Sequence, residues 1–378
     1  MMTRPRARIT AALAAAALLP IAALARADGA ADLGAAVAAW LASLSDDLRD
    51  AADYSFDDEE RFDLRLAPIG LEGLRRDAMS DAQWQGWLGA LGTALSMRGL
   101  QKVEAIMANE REVRARDRES WTGTWFGGFV HGEGRYFASV YGDPGQGAPW
   151  GLRFDGHHVS LNWTVPRASS VSVTPLFLGG EPREIPADHE RGGLRVLAEE
   201  EDRGYALWSA LRHEQRNAAR IEFQPASGIA AMNRPLFLGE GPQVTRPAPR
   251  GIARAALDPT QQALLDALVA AYYANFSDAI AAERRAAIDA AGRDAIYFAW
   301  AGSLRPGEPG YYRVQGPTFL IEFDNTAPEA DHVHAILREF DGDFGRDRLA
   351  EHYARDHARA FAAHRQAYPV VSPPDRSR

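Results

Sequence analysis

The chain has no cysteine. Disulfides, thiolate metal ligands, a cysteine nucleophile and a lipid-anchored N-terminus are therefore excluded. It also lacks a Gly-x-Ser-x-Gly elbow, a Walker A loop and a dinucleotide fingerprint. "HEQRN" at His213 begins like a zinc-protease helix, but Asn217 stands where the second histidine must be, so it reads as an exposed helix face. Positive charge is short as well: 42 Lys and Arg face 51 Asp and Glu, a formal net charge of −9. Such a chain offers no basic surface for a phosphate backbone, which argues against nucleic acid as a partner. No membrane-spanning run follows the N-terminal stretch: "LDPTQQALLDALVAAYYANF" is interrupted by Asp266 and too polar to cross a bilayer.

What is present begins with a leader. "MMTRPRAR" is a positive n-region, "ITAALAAAALLPIAALA" an apolar h-region, and "ARA" before Asp28 a small-residue cleavage site. Residues 1–27 read as a secretory signal peptide, which points to a periplasmic or secreted protein. Arg4 and Arg6 are split by Pro5, so there is no strict twin-arginine pair. Removing the leader removes four arginines and no acids, which takes the formal charge from −9 to −13. A hydrophobic content of 46% over 378 residues supports a full core.

Helical periodicity covers 33–50 and 81–108, with Ser80 expected as an N-cap. From Trp121 to Val173 the text turns aromatic and β-branched. "WGLRFDGHHVSLNWTV" reads as a hairpin with Asp155-Gly156 in the tight turn. A helix is expected near 199–220, a Pro/Gly-rich connection over 223–256, then helical text, strands from Ile296 to Phe340, a last helix from about 347 to 364 and a disordered tail over 367–378. The halves resemble each other. "MSDAQWQGWLGAL" parallels "LDPTQQALLDALV", and "YFASVYGDPGQGAPWGLRFDGHHVSLNWTV" parallels "YFAWAGSLRPGEPGYYRVQGPTFLIEFDN". The expectation is an α+β fold of two related units, each with helices on an antiparallel sheet, forming one compact body by internal duplication (28–222 and 257–366).

Alternation along the strands places Val159, Leu161, Trp163 and Val165 on a core face. The opposite face then collects His158, Asn162, Glu322, His332, His334 and Arg338. His332 and His334, two apart on a strand, lie on one side and can reach one ion; a third ligand would come from His158, Glu322, Asp343 or His352. Imidazole with carboxylate suits zinc, copper, iron or manganese. Histidines on such a face are equally compatible with hydrogen bonding to an organic ligand or with a solvated edge. His157 and His158 are neighbours on a strand and should point opposite ways, with His158 on the site side. Arg338 would orient an anionic group or pair with Glu322, and Asp343 would be a ligand or the anchor of a tight turn. Asp347 reads as a helix N-cap.

The blocks "WGLRFDGHHVSLNWTV", "VTPLFLGGEP", "YYRVQGPTFLIEF" and "HVHAILREFDGDFGRDRLAEHY" resemble, in the same order, the "domain of unknown function 3500" family. The resemblance spans nearly the whole mature chain and implies no established activity. It implies recurrent polar positions at His157, His158, Glu322, His332, His334, Arg338, Asp343, Asp347 and His352. One departure is visible: the family often has Asn-Pro where Glu181-Pro182 stands here. The functional expectation is an exported metal-binding protein whose ligands are His332, His334 and one or two of His158, Glu322 and His352, with His157 taking the place of His158 if a bulge at the turn swaps them. As an enzyme it would be a metal-dependent hydrolase or oxidase, with Glu322, Arg338 and Asp343 beside the metal. The alternative is a metal-free binding module for a small organic or sugar ligand.

Overall fold

The computed structural model describes residues 30–64, 70–119, 132–145, 147–167, 170–222, 243–244, 246–303, 305–326 and 330–346. The expected leader, Trp121, Trp125, much of the 223–256 connection, and the expected final helix with Asp347 and His352 lie outside them. Eight α-helices are found among the described residues: α1 (Ala30–Ala42), α2 (Asp46–Asp50), α3 (Asp81–Ala94), α4 (Met97–Glu119), α5 (Ala198–Ala210), α6 (His213–Ala219), α7 (Pro259–Tyr273) and α8 (Asp278–Ala291). None is long and apolar enough to cross a membrane.

Two helix starts are built alike. Ser80 caps α3 and Gln83 returns the bond to the Ser80 N–H; Asp258 and Gln261 do the same for α7, with Pro259 at its first turn. Each glutamine also donates through Nε2 to the end of an earlier helix, Gln83 to Ser43 O at 3.0 Å and Gln261 to Ala210 O at 2.8 Å. So α3 is tied to α1 and α7 to α5.

The strands are β1 (Asp53–Tyr54), β2 (Leu74–Arg75), β3 (Phe137–Tyr141), β4 (Trp150–Gly156), β5 (Val159–Arg167), β6 (Ser170–Ser172), β7 (Leu176–Gly180), β8 (Ile252–Ala253), β9 (Tyr297–Gly302), β10 (Gly310–Gln315), β11 (Phe319–Asn325) and β12 (Val333–Glu339). They form one sheet in the order β1-β3-β4-β5-β7-β12-β11-β10-β9-β8, with β2 on β3 and β6 on β5. Only β1 runs parallel to its neighbour; the other pairings are antiparallel. The two antiparallel halves are thus not separate sheets. They join at β7–β12, where Leu176 pairs with Leu337 and Gly179 with His334.

One face carries the expected apolar set: Val159, Leu161, Trp163, Phe319, Ile321, Phe323, Val333, Ala335 and Leu337 pack in a common core with Trp87, Leu91, Trp208 and Leu265 of the helices. The opposite, polar face is buried too, under irregular segments that bring Phe62, Leu64, Val244 and Phe344 onto the strands. Buried polar groups must find partners inside the protein. Arg153 Nε donates to Asp155 at 2.6 Å, Asn162 Nδ2 to Ser160 Oγ at 3.0 Å, and Tyr311 and Arg313 both face Glu322. The chain's single lysine, Lys102, is likewise buried, paired with Glu200 so that α4 is tied to α5.

Candidate metal centre

The β4–β5 hairpin departs from the expected turn. Gly156 stays in β4, paired with Val159, and the two turn residues are His157 and His158. Gly156 is needed as a strand residue, because a Cβ there would lie 2.3 Å from the Tyr136 ring. His158 takes the left-handed conformation with φ 65, which a histidine tolerates better than a branched residue but still at a cost. Strand alternation therefore does not govern this pair. Both imidazoles lie on one side, ring centroids 3.8 Å apart, and the expectation that only one could belong to the site is corrected.

His332 immediately precedes β12, and His334 lies within it. Their ring centroids are 4.5 Å apart. His158 reaches across from the hairpin, its centroid 4.6 Å from His332 and 5.4 Å from His334. Its Nε2 meets His332 Nε2 at 2.5 Å. This approach passes over β7, and Gly179 makes it possible: a Cβ there would lie 2.5 Å from His158 Cδ2 and 3.0 Å from His334 Cδ2.

The ligand atoms of His157, His158, Glu181 and His332 all lie within 4.8 Å of one another, close enough to hold a metal ion. Three imidazoles and one carboxylate are a chemically reasonable donor set for a transition metal. Behind them stand further carboxylates. Glu110 of α4, fully buried, meets His157 Nδ1 at 2.7 Å and accepts from Gly132 N at 2.8 Å. Asp324 lies 3.7 Å from Nδ1 of His334, the expected ligand that stands outside the four-donor group. Among the donors themselves, Glu181 lies 3.5 Å from His332 Nδ1. The cluster opens toward solvent at His332 and Glu181, whose side chains are 19% and 30% exposed.

The other expected site residues are placed differently. Glu322 faces Ile336 across the ladder and is engaged by Tyr311 and Arg313; the carboxylate in the four-residue cluster is Glu181. Arg338, within β12, is six residues beyond His332, about 20 Å at strand rise. It is fully buried and paired with Asp343, which also accepts from Glu339 N at 2.9 Å and anchors the turn after β12. His352 lies outside the described residues. Glu181 could be flagged in the sequence only as a departure from the family pattern, whereas Glu110, inside a run of alternating charges, carried no signal.

The model of a family described as "Protein of unknown function (DUF3500)" matches residues 26–346, most of the chain, and the chain belongs to that family. No curated protein and no solved structure matches it.

Proposed function

We propose that this DUF3500 protein binds one divalent transition-metal ion across the seam between the halves of its sheet, through His157, His158, His332 and Glu181. The observation that carries the reading is the convergence of these four donors within 4.8 Å. A tetrahedral ion with bonds of about 2.0–2.1 Å holds its donors about 3.4 Å apart. Loading would therefore part the His158 and His332 nitrogens, now 2.5 Å apart, by a little under 1 Å and draw the remaining donors inward. Glu110 takes Nδ1 of His157, which leaves Nε2 for the ion and raises the basicity of the ring. Zinc, copper, iron or manganese fits this donor set.

Four protein donors fill a tetrahedral shell. Binding, whether for carriage, storage or stapling the fold, is therefore favoured over metal-dependent hydrolysis or oxidation, which needs an open position. The histidines of the β4–β5 turn and Glu181 come from one half of the sheet and His332 from the other. An ion there would tie the halves together and stabilise the folded chain, by about 4 kcal/mol at a thousandfold excess over Kd. A second reading rests on the 2.5 Å contact itself, which is also what one proton shared between two imidazoles would give. It belongs with a metal-free module for a small organic or sugar ligand. Elemental mass spectrometry on untagged protein, beside His158→Ala/His332→Ala, separates the two. The metal reading expects near-stoichiometric metal that the variant loses. A parent that stays metal-free after reloading with zinc, copper, iron and manganese sinks it.

We also propose that residues 1–27 are an export signal and that the protein works in the periplasm or outside the cell. The expected mature N-terminus is Asp28, and a cytoplasmic product with its leader intact would refute this. Duplication of an ancestral unit is supported by matching details in the two halves. Gly179 N donates to His158 O at 2.8 Å, and Phe340 N donates to Thr318 O at 2.9 Å, so the place that glycine keeps open in one half holds a phenylalanine in the other. Rotation about an axis through the Leu176–Leu337 pair should bring Gln83 onto Gln261; failure to superpose would count against duplication. The proposed units remain 28–222 and 257–366 about the 223–256 connection, with α5 and α6 of the first segment packing in the second half.

A further inference from the structure

We propose that Glu201, which is not a donor, positions Glu181 and so sets the fourth coordination position; this rests on the metal reading above. Glu181 begins a segment without regular secondary structure that runs from the end of β7 to α5. It is the most exposed of the four donors, on a flexible side chain. Its placement must come from how the segment is held.

The segment is tied at three places. Glu201, in the first turn of α5 and only 2% exposed, accepts Arg183 Nε on both carboxylate oxygens, at 2.8 and 3.0 Å. The same carboxylate accepts Arg195 Nη2 at 2.6 Å. One buried carboxylate therefore grips both ends of the segment with charge-assisted bonds. The exposed side chains of Glu184 and Asp202 touch Arg183 and Arg195 from outside, at 3.5 and 2.7 Å. At the second tie, Arg183 N donates to Asp331 O at 2.9 Å and to Asp331 Oδ1 at 3.0 Å, next to His332. At the third, Arg191 donates to Asn109 Oδ1 and Ala108 O, both at 3.0 Å, beside Glu110 that holds His157. Two of the ties thus end on sequence neighbours of residues that build the site. Arg183 is two residues from Glu181, so fixing its backbone and guanidinium limits where the Glu181 carboxylate can go.

The test uses the full chain carrying Glu201→Gln, with Arg183→Gln as a second variant and Glu181→Gln for comparison. Zinc affinity is measured against a chromophoric chelator, and the visible absorption of the cobalt-loaded protein reports coordination number. Glu201→Gln and Arg183→Gln are expected to keep one ion per chain, to bind about 10–100-fold more weakly, and to show the cobalt spectrum of Glu181→Gln. Adding Glu201→Gln to Glu181→Gln should bring no further loss. A folded Glu201→Gln with parental affinity and spectrum, changed only in its melting temperature, overturns the proposal and makes the residue structural. Should Glu201→Gln fail to fold, Arg183→Gln decides by the same criteria. A parent that binds neither zinc nor cobalt overturns the metal reading itself, and this proposal with it.

Discussion

Replacing Gly179 by alanine tests whether the histidine cluster depends on a gap in β7. Gly179 is not in the left-handed region, so alanine brings no backbone strain there, and the whole effect is steric. The added Cβ would lie 2.5 Å from His158 Cδ2, 2.9 Å from His158 Cγ and 3.0 Å from His334 Cδ2. Carbon atoms rest at about 3.5–4.0 Å, so the His158 ring must retreat by about 1 Å. The strand cannot yield easily, being hydrogen-bonded to His158 O and paired with His334. Overpacking of this kind costs about 1–3 kcal/mol. Metal sites need distances within about 0.2 Å of their preferred values, so a displaced imidazole should be lost as a donor. The assay is chelator competition with zinc together with thermal unfolding of the metal-free and loaded protein. Gly89→Ala is the control: its Cβ meets nothing within 4 Å, and in the middle of α3 it should stabilise by about 0.5–1 kcal/mol. Gly179→Ala is expected to weaken zinc binding at least tenfold and to melt earlier. If it binds zinc as tightly as the parent, the cluster does not need this gap and the assignment of His158 as a ligand is wrong.

Glu110→Gln keeps the size of the group behind His157 and removes its charge. Zinc affinity is expected to fall about 10–100-fold, whereas an unchanged affinity would make Glu110 a purely structural partner. Glu339 at the end of β12 is pushed up from 4.5 to about 7 by burial, with Arg284 opposing and Asp343 adding to the shift. A carboxyl whose folded pKa is raised contributes most when protonated. Its contribution is present below about pH 4.5 and is lost as pH rises to about 7, by up to about 3 kcal/mol. Glu339→Gln should flatten that slope and be more stable than the parent at pH 8 in denaturant titrations; parallel pH profiles would refute the shift. Lys102 and Glu200 form a buried pair, so Glu200→Ala should cost about 3–5 kcal/mol, while Lys102→Met/Glu200→Leu should be near neutral in the same titrations. Equal losses in both variants would show that the charges themselves stabilise the chain.

Several features are legible in the amino-acid sequence itself, each for a local reason. Ser80 announced α3 because an N-cap acts through its own turn. The alternation of Val159, Leu161 and Trp163 announced a core face because the strand period is two. His332 was legible as part of a polar cluster because residues two apart on an extended chain share a side, which put it with His334. Glu322 was mistaken for the nearby carboxylate. Its side of the strand could be read, but not its distance along the sheet from the histidines.

The sequence by itself determined the α+β class, the strands and their core face, the absence of thiol chemistry and the family, all of which follow from residue type and short-range periodicity. Only the tertiary structure decided which polar residues meet. The β4–β5 turn falls at His157-His158, two residues beyond the expected Asp155-Gly156, and that puts His157 on the same side as His158. Glu110 and Glu181 reached the histidines from a distant helix and a loop, and Arg338 was withdrawn into a pair with Asp343. Such meetings depend on strand order and on which Cβ is missing at a crossing. These are properties of packing between segments far apart in the chain, and no local pattern encodes them.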